Sequence, residues 1–117
     1  MPPQNTRHVL VVEDEPPTQR ALQRLLRDCT TTITPSVEGA IDLLKEGIAF
    51  DVVITDYDLA GVQTGKDLIN WIRANRPDML SKTILFSGND DAAEIHPHFV
   101  MKPAMAELRI ALIQLAD

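Results

Sequence analysis

One cysteine, Cys29, is all the chain has among 117 residues, so it has no internal disulfide. That points to a reducing compartment, with the cytoplasm as the default expectation. No apolar run approaches the roughly 18 residues of a membrane span, and no signal-like apolar stretch follows Met1. No internal repeat and no low-complexity tract breaks the pattern. Basic residues are outnumbered, 11 against 17 acidic, for a formal net charge of -6. This argues against a large nucleic-acid surface and suits a chain that gathers cations. Charged residues are 24% and hydrophobic ones 44%, an ordinary balance that excludes disorder and supplies one packed core. Residues 1–6, polar and proline-rich, read as a flexible N-terminal arm, leaving residues 7–117 as one domain.

The organising stretch is residues 52–65, VVITDYDLAGVQTG. Val52 to Thr55 reads as a buried strand that stops at Asp56, and Asp58, Gly61 and Gly65 mark a loop. Upstream, His8 to Val12 is a strand ending at Glu13, Asp14 and Glu15. Pro16 and Pro17 suit the first turn of a helix reaching about Asp28, with Ala21, Leu22, Leu25, Leu26 and Cys29 on one face. Thr30 to Thr34 is a second strand. Ser36 caps a second helix carrying Ala40, Ile41, Leu43 and Leu44, and Gly47 ends it. Thr64 and Asp67 resemble a capping box for a helix over residues 65–75, with Leu68, Ile69 and Ile72 inward and Trp71 beside them. Pro77 prevents its continuation. Thr83 to Ser87 and His98 to Met101 are the fourth and fifth strands, and a last helix covers residues 104–116.

Alternating strands and helices predict an α/β fold: a doubly wound, flavodoxin-like parallel sheet of order 2-1-3-4-5. Only residues 88–97 join the fourth strand to the fifth, short for a parallel crossover. A turn or two near Asp91 to Ile95 is all that fits, so the fourth crossover helix is expected to be stunted or missing.

Open α/β sheets bind ligands at the carboxyl ends of their strands. Asp14 and Asp56 both fall there. Converging carboxylates repel unless a cation holds them, and hard oxygen ligands favour Mg2+.

Four features occur in order, each at a strand's end: Glu13 with Asp14, Asp56 within DYDLAG, Ser87 within FSG, and Lys102 followed by Pro103. Together they resemble the receiver domain of two-component response regulators. The subtype is that of hybrid sensor kinases and single-domain regulators, and the likeness runs from Val9 to Leu115. The resemblance implies a phosphoacceptor in a His-to-Asp relay, cytoplasmic and non-enzymatic apart from marginal self-phosphotransfer and autodephosphorylation. Asp56 would take a phosphoryl group from a sensor histidine kinase or phosphotransfer protein. Mg2+ would lie between Asp14, Asp56 and the backbone carbonyl of Asp58, with Glu13 near it through water. Lys102 would pair with phosphoryl oxygens, and Ser87 would donate to the same group. Ser87 and Phe99 would form the switch, Phe99 by packing because it lacks a hydroxyl.

The loop from Asp56 to Gly65 is one residue longer than the family's common spacing. Ala60 stands where proline is frequent, and Asp58 lies close to the attacking-water route. The short fourth connection touches the family's usual output face, so it bears on the unknown downstream target.

Plainer readings stand beside these. Asp56 alone is as readily a solvated loop residue, and Phe99 alone is plain core. His96 and His98 lack an evident third metal ligand and read as loop or strand-edge residues. Cys29 is a small apolar filler, and Asp90, Asp91 and Glu94 form a solvated face. Ile110 and Ile113 beside the last helix's main stripe could support a homodimer. Two other functions compete: a degenerate receiver that binds partners without phosphorylation, and a haloacid-dehalogenase-like phosphatase built on Asp56-Tyr57-Asp58. The second lacks a further acidic pair after Lys102, where only Glu107 and Asp117 follow.

Overall fold

The computed structural model describes residues 7–59 and 61–116. The expected arm at residues 1–6, and Ala60 of the lengthened loop, lie outside the described residues. Five parallel strands form one sheet of order β2-β1-β3-β4-β5: β1 (His8–Val12), β2 (Thr30–Thr34), β3 (Val52–Thr55), β4 (Thr83–Ser87) and β5 (Phe99–Met101). Among the described residues, five α-helices accompany them: α1 (Pro16–Leu25), α2 (Val37–Lys45), α3 (Gly65–Asn75), α4 (Pro77–Leu80) and α5 (Met105–Ala116).

Side chains of a strand alternate between faces, and the central strands are apolar on both. Val9, Val11, Val52, Ile54, Ile84 and Phe86 face one way, onto Leu22 and Leu26 and onto Leu108 and Leu112 of α5. Leu10, Val12 and Val53 face the other, onto Val37, Ala40 and Leu44 of α2 and Leu68 and Ile72 of α3. Trp71 packs against the edge of that second layer. A smaller cluster joins Ile69, Leu85 and Ala92, with Tyr57 and Phe99 packed against it.

Local signals act as expected at several ends. Ser36 Oγ accepts the Gly39 N–H at 3.1 Å, and Gly47 adopts φ 76° after α2. The Asp67 carboxylate accepts the Thr64 N–H at 2.7 Å, fixing the start of α3.

Three boundaries differ from the sequence reading, and one short helix is added to it. α1 stops at Leu25 rather than near Asp28. The chain must turn there, Cys29 N–H donating to Leu26 O at 2.8 Å, to enter β2 at Thr30. Leu26 and Cys29 still pack on the same core, which is why the apolar period outlasts the helix. β5 starts at Phe99, one residue later than His98, and α5 starts at Met105 rather than Ala104. Pro77 ends α3 but also opens the one-turn α4, since proline is tolerated at a first helical position. The β4–β5 crossover holds only a 3-10 helix, Asp90–Glu94, as the short connection requires.

Candidate functional site

The parallel ladder sets the site. Glu13 N–H donates to Thr34 O at 3.0 Å and Asp56 N–H to Val12 O at 3.1 Å. The first residue beyond β1 and the first beyond β3 are thereby brought to the same end of the sheet. Gly65 closes the loop behind them, its N–H donating to Tyr57 O at 2.8 Å. A Cβ at Gly65 would meet Asp56 O at 2.2 Å and Tyr57 Cα at 2.8 Å, so only glycine lets α3 start so near.

Asp56 is 6% exposed. Its Oδ1 accepts the N–H of Tyr57 at 2.7 Å and that of Asp58 at 3.3 Å. Its Oδ2 accepts from Lys102 Nζ at 2.7 Å. Lys102 also donates to Glu13 Oε1 at 2.8 Å and has Glu15 Oε1 at 3.7 Å. The lysine is carried in by β5, its N–H donating to Ser87 O at 2.9 Å. Its ammonium stands 5.8 Å from the centre of the Phe86 ring. The Lys102–Pro103 peptide is cis.

Burial pushes the Glu13 carboxyl above the ordinary glutamate value, although Lys102 pulls it down. Burial also works against the Lys102 ammonium, but its bonds to Asp56 and Glu13 outweigh that and raise its pKa. Lys102 is therefore the fixed charge, and Glu13 is the partner that burial strains.

Asp14, Glu15, Asp56, Asp58, Leu59, Gly88 and Lys102 line a crevice of about 480 Å3 at this end of the sheet. Oxygens of Glu13, Glu15 and Asp56 lie within 4.8 Å of one another, a spacing able to hold a metal ion. The structure thus brings Glu13, Asp14, Asp56, Asp58 and Lys102 together. Ser87 is fully buried beside them, with Oγ accepting the Asn89 N–H at 3.2 Å rather than reaching Asp56. Phe99 stands apart, half-buried against Leu85 and Ala92.

Sequence reasoning did not single out Glu15 or Gln19. Glu15 precedes α1 as its N-cap residue, and its N–H donates to Glu13 Oε2 at 3.2 Å. Gln19 Nε2 donates to Glu13 O at 2.6 Å, tying α1 to the end of β1. The run Glu13-Asp14-Glu15 was the available signal for the first; the second has none.

The family model of the response regulator receiver domain matches residues 9–108. No curated protein matches the chain significantly. Among solved structures, the fold is similar to a response regulator receiver protein from Sinorhizobium medicae, at 27% identity and TM-score 0.82, covering 95% of this chain and 94% of that one. It is similar to the response regulator TrrA from Thermotoga maritima, solved in complex with Mg2+-BeF, at 23% identity and TM-score 0.83, with 94% and 99% covered. It is also similar to the signal receiver domain of an HD-domain-containing protein from Pseudomonas fluorescens, at 24% identity and TM-score 0.83, with 97% and 89% covered.

Proposed function

The chain belongs to the response regulator receiver domain family, and from that premise we propose that it is a phosphoacceptor in a His-to-Asp relay. One observation carries the reading: Asp56 ends a buried strand inside an acidic crevice with Lys102 Nζ 2.7 Å from its Oδ2. Phosphoryl transfer asks a protein mainly for positioning and charge neutralisation, and a nucleophile beside oxygen ligands and one ammonium serves both.

An Asp56 carboxylate oxygen attacks the phosphorus of a phosphohistidine on a sensor kinase or phosphotransfer protein. The P–O bond forms as the P–N bond breaks, and the released imidazole takes a proton from solvent. The Tyr57 and Asp58 N–H groups, at 2.7 and 3.3 Å, hold the other carboxylate oxygen so that Asp56 meets the donor in a fixed orientation. Lys102 leaves Asp56 and pairs with the incoming phosphoryl oxygens as a mobile point charge. Ser87 exchanges its Asn89 contact for a hydrogen bond to the same group. The added charge of about -1.5 to -2 draws both inward. Phe99 registers that movement through its packing with Leu85 and Ala92.

The donor set fits Mg2+. Glu13, Glu15 and Asp56 offer hard oxygens within one ion's reach, and Asp14 and Asp58 line the same crevice, where the Asp58 backbone carbonyl would be a further ligand. When bound, the ion would supply neutralisation of the phosphoryl charge. The 7–116 span is a binding module that shares its chemistry with the kinase. We place it in the cytoplasm, with a downstream target reached through the switch residues and self-association through Ile110 and Ile113 as its other contact.

Beryllofluoride with Mg2+, a phosphoryl mimic, tests this by NMR. Shifts at Ser87 and Phe99 that need Mg2+ are expected. Labelling by a small phosphodonor such as acetyl phosphate should vanish in Asp56→Asn while the fold persists. Labelling that survives the substitution moves the acceptor elsewhere. No response to either reagent makes the domain a passive interaction module.

A further inference from the structure

His96 lies in the β4–β5 connection and is 3% exposed. Its Nε2 is 2.6 Å from the backbone carbonyl of Thr83, the first residue of β4. A carbonyl oxygen only accepts, so Nε2 carries the ring proton and Nδ1 presents a bare lone pair. That Nδ1 is buried and has no hydrogen-bond partner among the described residues. A neutral imidazole with one N–H fixed on a backbone carbonyl and the other nitrogen free is how metal-binding histidines are held.

His98 supplies a second imidazole. The two rings meet edge-on with centres 5.4 Å apart. Imidazoles sharing a tetrahedral ion at about 2.0–2.1 Å per nitrogen have ring centres about 5 Å apart. Both histidines line a cavity of about 230 Å3 with Arg73, Leu80, Ser81 and Pro97. The crossover beside it is reduced to a 3-10 helix.

We propose that His96 and His98 form a binding site for a transition-metal dication, with Zn2+ as the reference ion, His96 Nδ1 as its buried ligand and water completing the shell. Nitrogen ligands select such ions over Mg2+, which prefers oxygen. The site therefore differs in kind from the acidic crevice. Arg73 is the opposing charge. Its guanidinium is held on Asn70 Oδ1 at 2.9 Å, and it lines the cavity, so it weakens the site. Thr83 begins β4 whereas Ser87 and Lys102 mark the other end of the sheet, so failure here leaves the phosphoacceptor reading untouched.

Zn2+ titration of the chain tests it, with excess Mg2+ occupying the crevice and Cys29→Ser removing the thiol. Imidazole 15N signals of both histidines should move together. His98→Ala, at a half-buried position, should weaken binding about tenfold or more while leaving the melting temperature in place. Arg73→Ala should tighten it. Three results overturn the proposal: histidine signals unmoved at millimolar Zn2+, which assigns the Nδ1 lone pair to water; affinity unchanged in His98→Ala; or weaker binding in Arg73→Ala, which indicates an anionic ligand instead.

Discussion

Lys102 Nζ bridges Asp56 Oδ2 at 2.7 Å and Glu13 Oε1 at 2.8 Å, joining the ends of three strands through one ammonium. With the cation gone, two carboxylates exposed by only 6% and 2% face each other uncompensated. Lys102→Met keeps the length and removes the charge. Breaking a fully buried ion pair from one side costs about 3–5 kcal/mol. Lys102 is 18% exposed, so about 2–3 kcal/mol is expected here. Mg2+ should restore much of that loss and bind more tightly than in the parent chain. Urea denaturation with and without Mg2+ reads both effects; a variant indifferent to Mg2+ contradicts the shared site.

Gly65→Ala strikes the same site from behind. The new Cβ would sit 2.2 Å from the backbone oxygen of Asp56, with no flexible side chain to yield. Overpacking of this kind costs about 1–3 kcal/mol, and the loop bearing Asp56 is what must move. Lower stability together with slower phosphodonor labelling is expected. Normal labelling in a destabilised variant would confine Gly65 to packing.

Asp28 and Arg109 join the turn after α1 to α5, Arg109 Nη1 donating to Asp28 Oδ1 at 2.8 Å. The hydrogen bond from the guanidinium lowers the Asp28 pKa from 3.8 to about 2. A depressed carboxyl pKa stabilises the fold above the unfolded value, and that contribution is lost as pH falls from about 3.8 through about 2. Asp28 is 52% exposed, so screening leaves about 0.5 kcal/mol. Asp28→Asn should flatten the acid limb of stability below pH 4 by that small amount, and 1 M salt should erase the difference. A loss several times larger would mean the pair acts on more than itself.

Burial lowers the His96 pKa, against the opposing pull of the Thr83 carbonyl. The folded state therefore favours the neutral ring. Stability is full above the unfolded value of 6.5 and declines as pH falls below it toward the folded value. Melting temperatures from pH 7.5 to 5 should fall more in the parent than in His96→Gln, which keeps an N–H for the carbonyl. Parallel curves would show that His96 does not govern this range.

The sheet order was legible because buried parallel strands are written as short apolar runs ending abruptly in polar residues, as at Asp56 and Ser87. The crevice followed from those endings. Other features depend on partners far along the chain. Glu15 reads as one more acidic loop residue until Lys102, from another strand, approaches it. His96 looks like a loop histidine because most of its connection is exposed and its own burial depends on the Thr83 carbonyl, thirteen residues earlier. α4 escaped notice because four residues carry no measurable period. Residues 26–29 kept the helical period without the helix, since the pattern records which side a residue buries and not its hydrogen bonds.

Val11 and Val12 are adjacent in sequence, yet each belongs to a different apolar layer. The sheet is a partition wall. Substitutions around Leu26 and around Leu44 should combine additively, because among the described residues no side chain belongs to both layers. One side can drift, or be redesigned for hardiness, while the other keeps its shape.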